Sequence, residues 1–378
     1  MRVTLISKAF VVGAYQTKLE ALAAYDDIEL TVVVPPSWRE GRHTLHLERS
    51  HTRGYQLIVA PIAFTGHFHL HYYPTLPAIL RASQPDICHI DEEPYNLATY
   101  LAVRAARRVG AGTVFFTWQN LLRGHPFPFN CFERYVYRHV DAAIAGNRDA
   151  VEVLYQKGYV GPVQLVPQFG VDPQVFRPAD EHPPHTPFTI GYAGRLVQQK
   201  GLGILVDALE HLSGAWRLIL YGTGPMQEKL KARLARLGLA ERVRFEGHLP
   251  STEMPQVLAA LDVLVLPSLT RPNWKEQFGR VLIEAMSCGV PVIGSDSGEI
   301  PYVIGEGGLI FPEGDARALR SHLERLMADA ALREGLGTRG RARVLAHYTQ
   351  AQIAAETVAF YRVIRGNMES ARGRGKRW

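Results

Sequence analysis

Short apolar runs and amphipathic stretches alternate along the whole chain, and this alternation predicts its fold. The apolar runs are rich in β-branched residues and have the length of buried strands; in the first half they lie at 3–6, 29–34, 56–60, 87–90, 113–117 and 142–145. Stretches with helical periodicity, such as 95–109 and 130–139, separate them. Strands that alternate with helices form parallel sheets covered on both faces. The pattern therefore predicts an α/β protein of doubly wound, Rossmann-like sheets.

A proline-rich stretch interrupts the alternation near the middle of the chain. Six of the 24 prolines lie between Pro167 and Pro187, and the strand–helix pattern restarts at Phe188. A chain of 378 residues fits two domains, each large enough for its own core. We expect an N-terminal domain over 1–170, a linker over 171–187 and a C-terminal domain over 188–348.

Composition places the chain among ordinary globular proteins. Hydrophobic residues make up 47% and charged residues 21%, and no apolar run is long enough for a spanning helix. Cys88, Cys131 and Cys288 show no paired spacing, which indicates a reducing compartment and excludes a cysteine zinc site. The expected location is cytoplasmic, including the inner face of a membrane.

The formal charge of +6 is concentrated at the C-terminus. Residues 365–378 hold five basic residues and one acid, so the rest of the chain is nearly balanced and gives no reason to expect a nucleic-acid partner. We predict a disordered basic tail over 367–378. It either touches an anionic membrane peripherally or only aids solubility.

Two loops that follow strands in the second half offer glycines where an anion would bind. The first, 194–201, places Arg195 and Lys200 between Gly194 and Gly201, which suits a diphosphate but equally a tight turn with solvated charges. The second contains Gly222 and Gly224, and it lacks the third glycine of the dinucleotide fingerprint.

Glu276 and Glu284 stand at the start of a segment, 285–293, that is small and apolar enough to require burial. If a helix starts near Phe278, its free amides and Gly279 point toward the same anion site. One acid would then bind a ribose diol and the other a sugar hydroxyl. The alternative is that Glu276 caps the helix and Glu284 pairs with a buried base.

Taken together, these motifs resemble the family-four retaining glycosyltransferases of the GT-B fold. The resemblance spans nearly all of the second half. It rests on motifs that occur in the family's order: Gly194-Arg195-Leu196 with Lys200-Gly201, Gly222 with Gly224-Pro225, Asp262 to Ser268, Glu276 to Glu284, Gly289 to Pro291, and Gly298 to Pro301. The resemblance implies two tandem Rossmann-like domains that face a central cleft, with a C-terminal helix, 349–366, that crosses back to the N-terminal domain.

The resemblance also implies roles for the matched residues. A nucleotide-diphosphate sugar would be the co-substrate, with its diphosphate held by Arg195 and Lys200, its ribose by Glu284 and its sugar by Glu276. Amides near Phe278 and Gly279 would add contacts, and the base would meet the backbone around Leu249. The acceptor would be a glycan, a lipid-linked saccharide or a metabolite, and the family transfers sugar with retention.

No cofactor or metal is expected. The chain contains no Asp-x-Asp pair, so a divalent ion that bridges the diphosphate has no support from the sequence. Fixed cations and amides would instead stabilise the charge that develops on the departing diphosphate.

The first half departs from the family's pattern at two places. Many relatives carry a histidine after the strand 113–117, where this chain has Gln119, which can hydrogen-bond a sugar but cannot take up charge. The paired glycines of the family's N-terminal loop are reduced to Gly13. Gln119 and Gly13 are nevertheless carried over as expected donor contacts.

Acceptor contacts are sought among polar side chains of the first half. His67, His69 and His71 alternate, so on a strand they would share one face; a loop that lines the acceptor site is favoured over a metal site. Asp91, Glu92 and Glu93 follow a strand and could orient a hydroxyl, or they could supply charge at a helix N-terminus.

Three functions stay open at this point. The first is transfer of a sugar from a nucleotide sugar, and the second is a non-catalytic subunit that binds a nucleotide sugar. The third is another GT-B reaction, such as sugar-nucleotide epimerisation or phosphorolysis.

Overall fold

The computed structural model describes residues 1–41, 43–179 and 187–373, with side chains described as far as 370. It divides into two compact units. One contains residues 1–169 together with the chain from Gln350 onward, and the other contains Gly170–Thr349.

The first unit is built on a seven-stranded parallel sheet with the order β5-β2-β1-β6-β7-β8-β9. A small antiparallel hairpin, which the sequence pattern did not predict, stands apart from it. The strands of the sheet and the hairpin are β1 (Arg2–Ile6), β2 (Glu29–Val34), β3 (Ser37–Glu40), β4 (His43–His46), β5 (Gln56–Val59), β6 (Ile87–Ile90), β7 (Gly112–Thr117), β8 (Ala142–Ala145) and β9 (Val163–Leu165).

Helices connect the parallel strands of this unit and bury their apolar sides against the sheet. They are α1 (Thr17–Ala23), α2 (Leu76–Ser83), α3 (Leu97–Arg108), α4 (Phe129–His139) and α5 (Arg148–Gln156). The start of α5 is fixed by Asn147, whose side chain accepts a hydrogen bond from the Ala150 amide at 2.8 Å. Two apolar clusters, one on each face of the sheet, form the core.

The second unit contains a six-stranded parallel sheet with the order β12-β11-β10-β13-β14-β15. Its strands are β10 (Phe188–Ala193), β11 (Trp216–Tyr221), β12 (Val243–Gly247), β13 (Val263–Leu266), β14 (Val292–Ser295) and β15 (Gly308–Phe311). Its helices are α6 (Leu202–Glu210), α7 (Gln227–Arg236), α8 (Met254–Ala259), α9 (Arg280–Ser287), α10 (Ile300–Ile304), α11 (Ala316–Ala328) and α12 (Ala330–His347). The α/β class and the doubly wound sheets are therefore as predicted.

The last helix, α13 (Gln350–Gly373), belongs to the first unit and packs on α1. Ile353, Val358 and Tyr361 are buried in its core. The predicted end of this helix at 366 was too early, because residues 367–373 continue it. A hydrogen-bonded pair one turn apart, Arg365 Nε to Glu369 Oε1 at 2.9 Å, supports that extension. The remainder of the predicted tail, 374–378, lies outside the described residues.

The predicted linker is only in part a separate segment. Residues 170–179 belong to the second unit, where Val171 forms a parallel bridge with Thr349. The Phe176 carbonyl accepts a hydrogen bond from Ser287 Oγ at 2.6 Å, which anchors this stretch to the end of α9. Residues 180–186 lie outside the described part of the chain. No helix in the described part is long and apolar enough to cross a bilayer.

In each sheet the strand order reverses at one point. In the first unit the order reverses between β1 and β6, and in the second it reverses between β10 and β13. In sheets of this kind a ligand site opens beyond the carboxyl ends of the strands at the reversal. The loops that follow β1, β6, β10 and β13 are therefore the places where a site is expected.

Candidate functional site

The loop after β10 is held in shape by its own strand. Tyr192 Oη donates a hydrogen bond to the Arg195 carbonyl at 2.9 Å, and Gly194 adopts a φ of 154°. The Arg195 side chain is exposed, whereas the neighbouring Leu196 is fully buried. Burial of Leu196 thus fixes the turn and leaves the Arg195 guanidinium directed to the surface, as binding of an anion requires.

Lys200 and Glu276 meet beside the reversal point between β10 and β13. Lys200 Nζ lies 2.5 Å from Glu276 Oε2, and the same oxygen accepts a hydrogen bond from Ser268 Oγ at 2.7 Å. Lys200 Nζ also lies 5.1 Å from the centre of the Trp274 ring. Glu276 is buried, so its charge is compensated by the ammonium and the hydroxyl.

Helix α9 starts later than the sequence predicted. Its first residue is Arg280, and Gly279 precedes it with a left-handed φ of 78°. Phe278 is buried, and its ring packs edge-on against Tyr348 at 5.7 Å between ring centres. Glu276 therefore lies in the loop before the helix and does not cap it, whereas Glu284 lies in the second turn.

Glu284 is paired with a base from its own helix. Arg280 Nε donates to Glu284 Oε1 at 2.7 Å, across one helical turn. Burial raises the pKa of the Glu284 carboxyl, and the Arg280 guanidinium opposes this rise. The alternative expectation paired Glu284 with a buried base; Glu284 does pair with a base, but that base is Arg280, whose side chain is 39% exposed and which had no predicted role. The i, i+4 spacing was the signal that would have revealed it.

A cavity of about 500 Å³ opens at the carboxyl edge of the second sheet. It collects five of the residues expected to bind a donor and adds polar side chains that the sequence analysis missed. The expected residues are Gly194, Arg195, Gly222, Leu249 and Glu284. The added residues include Thr223, His248, Ser251 and Arg280. A cavity of this size with a few convergent polar groups suits a small ligand.

The expected donor residues thus fall into two groups. Arg195 and Glu284 line the cavity, whereas Lys200, Glu276, Phe278 and Gly279 lie outside its lining. Gly224 also lies outside the lining and packs under the loop, where an added Cβ would come within 2.4 Å of the Leu196 carbonyl oxygen. Of the two cations that were predicted to hold the diphosphate together, Arg195 therefore lines the cavity and Lys200 does not.

The three consecutive acids of the first unit serve its internal packing. Asp91 Oδ2 accepts hydrogen bonds from Ser7 Oγ at 2.7 Å and from Gln168 Nε2 at 2.9 Å. Burial raises the pKa of the Asp91 carboxyl, although the Lys18 ammonium opposes this rise. The candidate acceptor residue Asp91 is therefore committed to contacts that join β1 and β6 to residue 168.

Glu92 is buried between the Lys8 ammonium and the His71 ring. It pairs with the Lys8 ammonium, and its Oε1 lies 3.3 Å from Nε2 of the buried His71. Burial alone would raise the pKa of Glu92, but Lys8 and His71 outweigh it and hold the pKa at about 2. Glu92 and His71, both candidate acceptor contacts, are thus buried next to each other.

The loop that carries the three histidines is not a strand. Residues 64–71 form successive turns, so His67, His69 and His71 do not share one face. His71 is buried and its Nδ1 donates to the Phe68 carbonyl, at 2.9 Å, in the tautomer that this contact requires. His69 is exposed and lies 3.2 Å from Asn96 Oδ1, measured from its Nδ1. Of the two histidines proposed as acceptor contacts, only His69 reaches the surface.

Gln119 and Gly13 are each held by neighbouring side chains. Gln119 Oε1 accepts from Lys157 Nζ at 3.2 Å, and Lys157 also binds Glu133 Oε1 at 2.6 Å. The Gly13 amide donates to the Glu48 carboxylate at 2.6 Å. The Gly13 amide, an expected donor contact, is therefore already hydrogen-bonded to Glu48.

Comparison with known proteins bears on both halves of the chain. The sequence model of the family glycosyl transferases group 1 matches residues 176–343, and the sequence model of the glycosyl transferase 4-like domain matches residues 12–168. The two matches are adjacent and together span most of the chain. The chain belongs to the group 1 glycosyltransferases.

Curated relatives of this group 1 glycosyltransferase match part of it. The amylovoran biosynthesis glycosyltransferase AmsK from Erwinia amylovora is 32% identical over 191 residues, which are 49% of this chain and 47% of AmsK. The chain spans about half the length of AmsK and of other curated relatives that it matches.

Solved structures agree over nearly the whole chain and confirm the GT-B fold. A sucrose-phosphate synthase from Thermosynechococcus elongatus superposes with a TM-score of 0.72 and 21% identity, covering 97% of this chain and all of the other. HepE from Anabaena, in complex with UDP, gives a TM-score of 0.72 and 19% identity over 95% of this chain and 98% of HepE. At these identities the likeness concerns the fold alone.

The group 1 glycosyltransferase places a glycine against the backbone of Glu276, and we predict that it tolerates no side chain there. Gly298 has a φ of 56°, and an added Cβ would lie 2.0 Å from the Glu276 carbonyl oxygen. Gly298→Ala should therefore lower the free energy of unfolding by about 3 kcal/mol or more. Gly314→Ala is the matched control, since φ is 82° and nothing lies within 4 Å; its cost should be about 1 kcal/mol. If urea titrations show the same loss of unfolding free energy for both variants, crowding by the Glu276 carbonyl does not determine the cost at Gly298.

Glu93 should make the stability of the protein depend on pH. Its carboxylate accepts from Thr117 Oγ1 at 2.6 Å and from the Trp118 amide at 2.8 Å, yet burial raises its pKa from 4.5 to about 7. The folded state then retains a proton that the unfolded chain has lost, so the free energy of unfolding falls as pH rises between these values.

The test is the variant Glu93→Gln, which keeps an acceptor for the Trp118 amide. Relative to wild type, the variant should gain on the order of 2 kcal/mol between pH 5 and pH 8, measured by urea unfolding at each pH. Glu241→Gln, at an exposed position, should follow the wild type throughout. Parallel pH profiles for wild type and Glu93→Gln would show that Glu93 is ionised over the whole range.

No group of three or more histidine, cysteine, aspartate or glutamate side chains is placed to hold a metal ion within the ranges that the structure describes. Metal independence of the reaction remains a prediction from the sequence.

Proposed function

We propose that this group 1 glycosyltransferase moves a sugar from a nucleotide-diphosphate sugar to a hydroxyl of an acceptor, without a metal and with retention at the anomeric carbon. The observation that carries the proposal is the cavity at the carboxyl edge of the second sheet, whose lining includes Arg195 and Glu284. A diphosphate needs a cation of this kind, and a ribose diol needs a carboxylate.

The ligands bound in related structures support this choice of donor. HepE is described in complexes with UDP and with UDP-glucose. Here the nucleotide would enter the cavity with its diphosphate at the Arg195 side chain. Glu284, already hydrogen-bonded to Arg280, would accept hydrogen bonds from the ribose hydroxyls.

The proposed reaction breaks the bond between the anomeric carbon and the diphosphate oxygen and forms one to the acceptor oxygen. Negative charge grows on the departing diphosphate, and Arg195 stabilises it. The acceptor proton passes to the departing phosphate. Glu276, fixed by Lys200 and Ser268, would orient a hydroxyl of the transferred sugar, which is a positioning role.

Polar contacts in the first unit leave the acceptor unspecified. Buried partners already hold Asp91, Glu92 and His71, and so the exposed His69 is the acceptor contact that we retain. A glycan, a lipid-linked saccharide and a small metabolite are the acceptor classes that we propose to compare.

The experiment is a panel of UDP-, GDP- and ADP-sugars, each incubated with mixed saccharide acceptors and followed by release of the nucleotide and by mass spectrometry of the products. The proposal predicts a glycosylated product for at least one pair. Isomerised donor or a sugar phosphate would instead establish an epimerase or a phosphorylase. Binding of a nucleotide diphosphate without any product would favour a non-catalytic subunit.

A further inference from the structure

The second unit contains another cavity, of about 700 Å³, at the amino edge of its sheet. Its lining includes Leu261 and Asp262, which directly precede β13, and Val290 and Pro291, which directly precede β14. The cavity with Arg195 lies at the carboxyl edge of the same sheet, and no described residue lines both. We call this second cavity the amino-edge cavity. The proposed reaction gives it no role.

Helix α12 forms one wall of the amino-edge cavity. Arg333, Gly337 and Arg341 follow one another at intervals of four residues, so they lie along one face of the helix. Gly337 packs directly on the loop after α9, because an added Cβ would lie 2.1 Å from the Gly289 carbonyl oxygen. The helix is therefore held close to this end of the sheet, with an arginine about one turn away on each side of the contact.

Each of the two arginines uses a single nitrogen, Nη1, to bind the end of a neighbouring helix. Arg341 Nη1 donates to the carbonyl of Ser287, the last residue of α9. Arg333 Nη1 donates to the carbonyl of Leu326, in the last turn of α11, and its guanidinium lies 5.6 Å from the centre of the Phe188 ring. Among the described residues, neither guanidinium pairs with a carboxylate, and no hydrogen bond uses Nε or Nη2. The Nε–Nη2 edge of each arginine, which can bind two oxygens side by side, is thus available.

Apolar side chains make up most of the remaining lining, and those next to the strands are Leu261, Val290 and Pro291. Burial raises the pKa of the Cys288 thiol to about 12, so this lining group is neutral and packs as a small apolar side chain. Of the two lining acids, Asp262 accepts a hydrogen bond from the Thr189 amide at 2.7 Å, and Glu334 is exposed. A cavity of this size with apolar walls and a few polar groups is typical of small-molecule sites.

We propose that the amino-edge cavity binds a small anionic molecule with an apolar body, meaning a carboxylate, sulfonate or phosphate on an aromatic or short aliphatic group. The anion would bind the Nε–Nη2 edge of Arg341, because the Arg333 guanidinium already packs on Phe188, and Arg333 would add positive charge. The apolar body would displace water from the apolar walls. The cavity lies at the edge of the sheet opposite the donor residues, so this molecule is distinct from the substrates of the proposed reaction. Its binding can be measured without donor, acceptor or turnover, and the inference does not rest on that reaction.

The test is a fluorescence titration with anilinonaphthalene sulfonate, a probe that joins a sulfonate to apolar rings and emits strongly in apolar surroundings. Wild type should bind this probe. Phenylnaphthylamine, which has the same rings without the sulfonate, should bind at least about tenfold more weakly. Arg341→Gln should weaken binding of the sulfonate by at least about tenfold and leave binding of phenylnaphthylamine unchanged, since only the anion contacts the guanidinium.

Matched variants separate the site from a loss of structure. Arg343→Gln should bind the probe as wild type does, because Arg343 also donates to a carbonyl near a helix end, that of Val303 at 2.9 Å, but does not line the cavity. Thr338→Glu covers the case in which Arg341→Gln fails to fold. Thr338 is exposed and lines the cavity one turn before Arg341, so the new carboxylate would compete for the guanidinium and weaken binding of the sulfonate. Ala346→Glu, exposed on the same helix and outside the lining, should have no effect.

Several outcomes would overturn the proposal. They are absence of wild-type binding, equal affinity for the sulfonate and the neutral probe, and wild-type affinity in Thr338→Glu together with a folded Arg341→Gln. Weaker binding in Arg195→Ala alone would place the probe in the cavity at the carboxyl edge. A gain of about tenfold in the double variant Asp180→Asn with Glu181→Gln would show that acids of this chain compete for the arginines, which would contradict a site for a separate molecule.

Discussion

Replacing Glu276 by alanine should lower kcat for sugar transfer by about 100-fold or more while changing the KM for the donor much less. The expectation follows from its position: Glu276 is buried and fixed by Lys200 and Ser268, yet it lies outside the lining of the cavity that is proposed to hold the nucleotide. A group that orients the transferred sugar acts on the transition state more than on nucleotide binding. Steady-state kinetics with the donor varied at fixed acceptor measures both constants.

Glu276→Gln is the control for a purely structural effect. The amide can still accept the Ser268 hydroxyl but no longer balances the Lys200 ammonium. We expect it to fold as wild type does by circular dichroism and to retain reduced turnover, between those of wild type and Glu276→Ala. Full kcat in both variants would remove Glu276 from the reaction.

Arg195→Ala should weaken binding of the nucleotide diphosphate by about 10- to 100-fold, the equivalent of one lost charge-assisted contact. The Arg195 side chain is exposed and lines the cavity, and it is held there by the buried Leu196 beside it. Loss of an exposed guanidinium should not alter the folded state. Titration calorimetry with UDP, GDP and ADP measures the change.

Arg236→Ala is the matched variant for this measurement. Arg236 is also exposed, but it lies at the end of α7 and outside the cavity lining. The Arg236→Ala variant should bind the nucleotide diphosphate with the affinity of wild type. If Arg195→Ala and Arg236→Ala bind alike, the diphosphate does not lie at Arg195.

The periodic elements could be predicted from the sequence because local residue types determine them. The run 95–109 predicted a helix that the structure has at Leu97–Arg108, and 130–139 corresponds to Phe129–His139. Burial imposes a period of two or 3.6 on such segments, and that period is visible in one dimension. The order of the elements predicted doubly wound sheets, and the resemblance of the motifs to a known family implied the GT-B fold.

Sequence-based predictions failed where contacts between distant residues, or an unusual backbone conformation, determine the local structure. The start of α9 was missed because Gly279 adopts a left-handed φ, which permits a sharp turn directly before Arg280. The pairing of Lys200 with Glu276 joins residues 76 positions apart, and sequence spacing carries no information about such a contact.

Charge was also misleading when read alone. The basic composition after residue 365 suggested a disordered tail, yet the helix-compatible residues 367–373 extend α13, and Arg365 and Glu369 pair along it. The acids at 91–93 suggested an acceptor site, but their cations, Lys8 and Lys18, come from an earlier part of the chain.

A nucleotide diphosphate should bind at the carboxyl edge of the second sheet. Thermal unfolding in the presence of UDP, GDP and ADP measures that binding directly. A ligand at 100 times its dissociation constant adds about 2.7 kcal/mol to the stability of the protein that binds it. We expect one of the three nucleotides to raise Tm for wild type and Arg236→Ala, and the same concentration to raise it about half as much or less for Arg195→Ala. An unchanged Tm with all three nucleotides would show that none of them binds at this edge of the sheet.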